Sequence, residues 1–348
     1  MAAKALIGFK NFIISFLIIT TVFFNVMMLY KGKIINSNSL DFVSNNRQNS
    51  YRITSQNNHI DVVFFAKYAF KNMKIIRGLA RTLESILKHT KNPIYLHVLL
   101  DFESKQRVGR TLKTVCRHFH RSLNVTYYDV NDMAQQNSKT ISTIRKHFFS
   151  KDVGRYNDDI FFLSEIFHEV FPKRLRQIIF LDIDLKFLDD IQKLYGTFQA
   201  FEKQNVIGIG PDLQPQYRMD FSKFRSHNLG TKVGMPRPGR QGYNTGVVLF
   251  DLQRMRESVL YNSLINDTSI DILCKKYEFQ GYLGHQDFYT LTGMEHPELY
   301  YELDCSWNRQ LDVGWEAVVG SEIFQRYHEC NNTIKVLHAN GDAVFANE

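Results

Sequence analysis

Between Ile60 and Tyr128 the chain alternates short β-branched runs with helical periodicity, and that rhythm leaves few folds open. Ile60-Asp-Val-Val-Phe-Phe65 has the composition of a strand. Asn72 to His89 then carries Ile75, Leu79, Leu83, Ile86 and Leu87, the spacing of one helix face. Pro93 breaks the helix, and Ile94 to Leu100 is a second strand. Ser104 to His118 follows as a helix and Leu123 to Tyr128 as a third strand. This β-α-β-α-β order predicts an α/β fold: a mixed, mainly parallel open sheet flanked by helices. Ligands of such sheets lie beyond the carboxyl ends of the strands. Phe65, Ala66 and Lys67 occupy that rim.

A further strand ends in acids. Residues 156–171 predict an apolar helix with Ile160, Phe161, Leu163, Ile166, Phe167 and Val170 on its core face, stopped by Pro172. Ile178 to Leu181 then forms a short apolar run suited to a strand covered on both faces. Asp182 and Asp184 close it. A carboxylate is expensive to bury unless a cation meets it. Two of them around a turn suit a hard divalent ion, and suit a solvated turn as well. Their place at a strand's carboxyl end puts them on the rim of Phe65 to Lys67.

Val206 to Gly210 is another short strand. Residues 211–242, with Pro211, Pro215, Pro236 and Pro238, predict a long loop of the kind that forms a lid or binding surface. Tyr243 to Asp251 returns to strand, with Asn244 and Thr245 at its start and Gly246 allowing close backbone approach. Residues 252–277 predict helix. Gly284-His-Gln-Asp-Phe288 opens what reads as the last helix, and His338 and Asn340 follow a short apolar segment.

Ahead of this domain, Asn11 to Tyr30 is almost wholly apolar, and about 20 such residues match the hydrocarbon thickness of a bilayer. Its exit through Met28-Leu29-Tyr30-Lys31 lacks a small-residue cleavage pattern, which favours an uncleaved anchor. Residues 31–57 are polar and rich in Asn, Ser and Gln, as a stem would be. Asn124-Val-Thr126, Asn266-Asp-Thr268 and Asn331-Asn-Thr333 are glycosylation sequons. The expected layout is a cytoplasmic tail (1–10), a transmembrane anchor (11–30), a stem (31–57) and a luminal domain (58–348). The four cysteines show no CxxC spacing, which disfavours zinc and permits disulfides. Three full pairings are open. Cys305 with Cys330 is favoured, because both lie in one loop-rich region. The net charge of +8 is spread without a long basic block, so nucleic acid is not an expected partner.

Leu181-Asp-Ile-Asp184, Tyr243-Asn-Thr-Gly246, His285-Gln-Asp287 and a C-terminal histidine, behind a β-α-β-α-β half, resemble the retaining glycosyltransferases of family 8. Phe161-Phe-Leu-Ser164, Gln177 to Phe187, Gln214-Pro-Gln-Tyr-Arg218, Gly293-Met-Glu-His-Pro297 and Cys305-Ser-Trp-Asn-Arg-Gln310 are similar to the xyloside xylosyltransferase members. The resemblance implies the GT-A nucleotide-sugar-binding fold. It also implies transfer of xylose from UDP-xylose, with retention. The acceptor would be the xylose of a xylosyl-glucose O-glycan on an EGF-like repeat, as in Notch, and the product an α1,3 linkage. It implies manganese, with magnesium the alternative, and a single-pass type II protein of the endoplasmic reticulum membrane or the Golgi.

Carried over residue by residue, the resemblance makes Asp182, Asp184 and His338 metal ligands. It puts Phe65, Ala66 and Lys67 at the uridine, and Ile183, Asn244, Thr245 and Asn340 at the donor. Gln286 falls beneath the anomeric carbon, as the catalytic residue. A protein acceptor calls for exposed aromatics and a shaped loop, which puts Met219, Ser222 and Trp315 on the acceptor side together with Asp287; Trp315 suits a core place equally well, and Trp307 reads as packing. His285 stands where the family often has an acid. Asp159 to Leu163 replaces the family's Ala-Arg-Leu stretch, which leaves Asp158 to meet the nucleotide. The alternatives are another UDP-sugar such as UDP-glucose, or a luminal binding protein that has lost catalysis. A dehalogenase-type phosphatase is disfavoured, because Lys186 stands where it needs Thr or Val. Oligomeric state is left open.

Overall fold

The structure, a computed structural model, describes residues 59–149, 158–341 and 343–346. The expected anchor and stem lie outside the described residues. Among those described, no helix is long and apolar enough to cross a membrane.

The sheet strands are β1 (Ile60–Phe65), β2 (Ile94–Leu100), β3 (Asn124–Asp129), β4 (Gln177–Leu181), β6 (Ile207–Pro211), β7 (Tyr243–Asp251) and β8 (Tyr300–Glu302), in the order β3-β2-β1-β4-β7-β6-β8. The β3, β2, β1 and β4 strands run parallel, as the sequence rhythm predicts. The β7 strand enters antiparallel between β4 and β6. A second, three-stranded sheet joins β5 (Leu185–Phe187), β10 (Val336–His338) and β9 (Arg309–Gln310), in that order.

The main sheet is covered on both faces, so its central strands are apolar without alternation. In β4, Ile178 and Phe180 face one core with Phe167, Phe250 and Tyr289. Ile179 and Leu181 face the other, with Leu79, Leu83 and Ile86 of the helix Met73–His89. That helix starts where Asn72 accepts a hydrogen bond from the Lys74 amide, an N-cap that satisfies an otherwise orphaned donor.

Three expectations are corrected. The single helix over 156–171 is instead two 3₁₀ turns, Asp159–Phe162 and Ser164–Ile166, and a short helix Phe167–Val170. Every residue from Phe162 to His168 is buried, so no polar face is left for an amphipathic helix. The helix over 252–277 is three helices: Leu252–Glu257, Val259–Leu264 and Asp267–Lys276. Ser258 and Asn266 restart the second and third by capping Tyr261 and Ser269 amides. The helix His285–Glu295 is not the last; Glu316–Val319 and Ser321–His328 follow it.

The loop 211–242 contains the short helices Gln216–Asp220 and Ser222–His227. It is fastened from beneath. Tyr217 is fully buried, and Tyr327 Oη donates to the Gly234 carbonyl at 2.6 Å. Cys305 and Cys330 are bonded, as favoured, and Cys116 and Cys274 are free. Trp307 is core.

Candidate active site

The chain leaves the main sheet at Leu181 and enters the second sheet at Leu185, so Asp182, Ile183 and Asp184 occupy the crossing. Backbone bonds pin this turn from two sides. The Asp182 amide donates to the Gly246 carbonyl at 2.9 Å, and the Ala339 amide to the Asp184 carbonyl at 2.9 Å. From below, Thr82 Oγ1 donates to the Ile183 carbonyl at 2.9 Å and accepts from the Leu185 amide at 3.2 Å. Gly78 sits one helical turn earlier, and a Cβ there would lie 2.5 Å from the Ile183 oxygen. The helix approaches the acidic turn this closely because residue 78 has no side chain.

His338 ends β10, and its register partner is Leu185. The small sheet therefore delivers the histidine to the two acids. One ligand atom from each of Asp182, Asp184 and His338 falls within 4.8 Å of the others. His338 Nε2 is 3.7 Å from Asp182 Oδ2 and 3.4 Å from Asp184 Oδ1. Burial works against a charged His338 ring, but the Asp184 and Asp182 carboxylates outweigh it and raise its pKa. His338 is buried while both acids are partly exposed. Two carboxylate oxygens and an imidazole nitrogen, closed on the protein side and open on the other, fit a divalent cation that keeps positions for phosphate.

The β7 strand runs antiparallel to β4 with Val247 opposite Leu181, which brings Asn244 and Thr245 beside the acids. Gly246 allows it, since a Cβ there would stand 2.4 Å from His338 Cε1. Gly284, at φ 64°, turns the chain into the helix His285–Glu295 and presents Gln286. Gln286 Oε1 accepts from the Thr245 amide at 3.3 Å. Asn244 Oδ1 accepts from the Gly246 amide at 3.0 Å and from Asn308 Nδ2 at 2.9 Å. Asn308 Oδ1 lies 2.9 Å from His338 Nδ1.

Behind Gln286 the helix is buried. His285 stacks on Phe161 with centroids 5.7 Å apart, and burial pulls its pKa down to about 4. Asp287, expected at the acceptor, has no exposed surface. It accepts from Tyr217 Oη at 2.9 Å and from the Leu283 amide at 2.5 Å, so it braces the turn into the helix. A buried carboxylate needs such donors, and Tyr217 and Leu283 supply them.

At the rim, Phe65 packs its ring edge on Phe180 at 5.0 Å, and Ala66 is buried. Lys67 Nζ donates to both Asp158 oxygens at 2.7 and 2.9 Å, and Tyr68 Oη donates to Asp158 Oδ2 at 2.6 Å. Burial opposes ionisation of Asp158, yet the Lys67 and Tyr68 hydrogen bonds leave its pKa lowered. Asp158 therefore stands at the Phe65–Lys67 loop, paired with Lys67. Met219 and Ser222 are exposed and Trp315 is half-buried. Asn340 Oδ1 accepts from the Leu311 and Asp312 amides at 3.0 and 3.1 Å, shaping the loop that leads to Trp315.

Sequence reasoning missed Thr82, Gly78 and Asn308. Their partners lie far along the chain, and no local pattern marks them.

The Glycosyl transferase family 8 model matches residues 24–343. The chain is 38% identical to human xyloside xylosyltransferase 1 over 264 residues, 74% of this chain and 67% of that protein. The crystal structure of mouse xyloside xylosyltransferase 1, apo form, superposes with a TM-score of 0.77 at 35% identity, covering 82% of this chain and 99% of that one. The galactosyltransferase LGTC, solved with donor and acceptor sugar analogs, shares the fold with a TM-score of 0.50 at 18% identity, covering 82% of this chain and 88% of that one.

Proposed function

The chain belongs to glycosyl transferase family 8, and from that premise we propose that it moves xylose from UDP-xylose, with retention, to the xylose of a xylosyl-glucose O-glycan on EGF-like repeats of Notch type. The observation that carries this reading is the convergence of Asp182, Asp184 and His338 within 4.8 Å at the sheet rim, beside Thr245 and Gln286. Identity of 38% to human xyloside xylosyltransferase 1 supports xylose as the sugar moved.

Asp182, Asp184 and His338 would hold manganese, or magnesium in its place, which neutralises charge on the departing diphosphate. The chain's own groups set the rest. Thr82 and Gly78 fix the height of the acidic turn. The Thr245 amide holds Gln286 Oε1 in one orientation. An amide is a poor nucleophile, so Gln286 acts by orienting and by stabilising positive charge at the anomeric carbon. Asn244 and Thr245 line the sugar, Phe65 to Lys67 with Asp158 line the nucleotide, and Ile183 lies between them. Met219, Ser222 and Trp315 form the acceptor side. The three sequons, the Cys305–Cys330 bond and the apolar run Asn11 to Tyr30 support a luminal domain anchored in the endoplasmic reticulum membrane.

The buried His285 favours one second reading, a family 8 enzyme with another UDP-sugar, because an acid often stands there in the family. Full-length protein in detergent, given Mn2+, a panel of UDP-sugars and a xylosyl-glucosyl EGF-like repeat, should transfer xylose and leave glucose. Transfer from UDP-glucose alone would establish the second reading. UDP binding without transfer of any sugar would mark a binding protein.

A further inference from the structure

We propose that Asn308 is a positioning residue for the cation site: it fixes the tautomer of His338 through a hydrogen-bond relay that starts at the Gly246 amide. This rests on the reading of Asp182, Asp184 and His338 as cation ligands.

A backbone N–H can only donate. The Gly246 amide donates to Asn244 at 3.0 Å, so the atom it meets is Oδ1 and the Asn244 amide cannot be flipped. Asn308 meets the same oxygen at 2.9 Å and must present Nδ2 to it. Its own oxygen is then turned to His338 Nδ1, 2.9 Å away. An amide oxygen accepts only, so Nδ1 carries the proton. In the neutral ring, the form that can bind a cation, the lone pair falls on Nε2, the nitrogen that faces Asp182 and Asp184 at 3.7 and 3.4 Å. Asn244 Nδ2 is left on the side of the Asp212 carboxylate, whose charged form it favours against burial. Every step from Gly246 to His338 has one allowed polarity.

The relay is enclosed. Asn308 is 1% exposed, Asn244 8% and His338 3%, so water competes with none of its bonds. The His338 ring fills the space that a side chain at residue 246 would need, since a Cβ there would stand 2.4 Å from it. Asn308 itself emerges from the 3₁₀ turn Cys305–Trp307, which Cys330 ties down. Metal-bound histidines commonly donate their second N–H to a carboxylate, carbonyl or water. Here a side-chain amide takes that place, and its other end reaches Asn244, expected at the donor. One residue thus connects the cation ligand to the sugar side of the site.

The test separates the two ends of the Asn308 amide. Mn2+ affinity is measured by calorimetry and electron paramagnetic resonance on the full chain, with thermal unfolding as a check on folding. Asn308→Leu removes both ends and should weaken Mn2+ binding about 10–100-fold, the usual cost of losing such a partner. Asn308→Asp keeps an acceptor for Nδ1–H and should retain most Mn2+ affinity. It loses the donor to Asn244, so UDP-xylose should bind more weakly while UDP alone does not. Should the leucine variant fail to fold, Asn308→Ala reads the same loss. Wild-type Mn2+ affinity in a folded Asn308→Leu or Asn308→Ala protein overturns the relay. Equal Mn2+ loss in the Asp and Leu variants overturns it too. Absence of Mn2+ binding by the wild type removes the cation site, and the relay with it.

Discussion

His338 and His285 are buried alike, at 3% and 5% exposure, yet their surroundings push them in opposite directions. Burial opposes charge on both rings. Around His338 the Asp184 and Asp182 carboxylates reverse the outcome and its pKa rises. Around His285 the neighbours are Phe161, Phe180 and Tyr289, and its pKa falls to about 4. The acids divide the same way. Asp182 and Asp184 face solvent and a histidine. Glu165, fully buried near Tyr289 and Tyr261, is pushed up to about 8 by burial, with Ser164 only partly offsetting it. Burial alone does not set charge; the atoms facing the group do. The front corner of the site holds charge where a diphosphate would leave. Behind Gln286, His285 and Glu165 stay neutral and support the helix without adding charge.

The sharpest way to break this contrast is at the corner. Asp184→Ala removes one of three converging ligands and should abolish Mn2+-dependent UDP binding. Transfer should fall by more than about 100-fold, beyond the loss typical of an outer-shell partner. Thermal stability should hardly change, since the Asp184 carboxylate is partly exposed. UDP affinity that is the same with and without Mn2+, before and after the substitution, would refute the corner's role.

The floor is tested by pH. Glu165 has a folded pKa of about 8 against an ordinary 4.5, so the folded protein holds a proton that the unfolded chain has released. Stability from this residue is therefore full below about pH 4.5 and declines as pH rises toward 8. Glu165→Gln removes that slope. Between pH 5 and 8 the variant should gain on the wild type by an amount on the order of a few kcal/mol, since each tenfold difference in proton affinity is worth about 1.4 kcal/mol. Parallel melting curves across that range would show Glu165 to be charged in the fold, and the floor would not be neutral.

Sequence is informative about the corner and poor about the floor, for the same physical reason. The acids, Asn244 and Gln286 sit at the ends of regular elements, where an apolar run stops and a polar residue stands out. Gly246 reads as a point of close approach even without its neighbour, His338. The strands β5, β8, β9 and β10 have two or three residues each, and their pairing is set by contacts far along the chain. The 156–171 segment reads as one helix because the continuous burial of 162–168 imitates a helix's apolar content without its polar face. Asp287 is placed on the acceptor side because nothing in its own neighbourhood shows that Tyr217, from the loop 211–242, covers it. Asn308 and Asn244 are 64 residues apart, and no local period links two amides.

The last prediction asks how tightly the corner depends on packing rather than on ligands. Gly246→Ala adds one methyl group and changes no charge. Its Cβ would stand 2.4 Å from His338 Cε1 and 2.5 Å from Nδ1, closer than side chains tolerate. Either the ring turns, breaking the 2.9 Å bond to Asn308, or β7 moves, straining the Gly246 bond to the Asp182 amide. Overpacking of this kind costs about 1–3 kcal/mol, so the melting temperature should drop by several degrees. Mn2+ affinity should fall with it, less than in Asp184→Ala, because all three ligands remain. The equivalent change on the floor side, Gly293→Ala, meets the Tyr243 ring at 2.4 Å and should destabilise the fold while leaving Mn2+ affinity intact. If both substitutions weakened Mn2+ binding equally, the corner and the floor would be one mechanical unit, and the contrast between them would be one of charge alone.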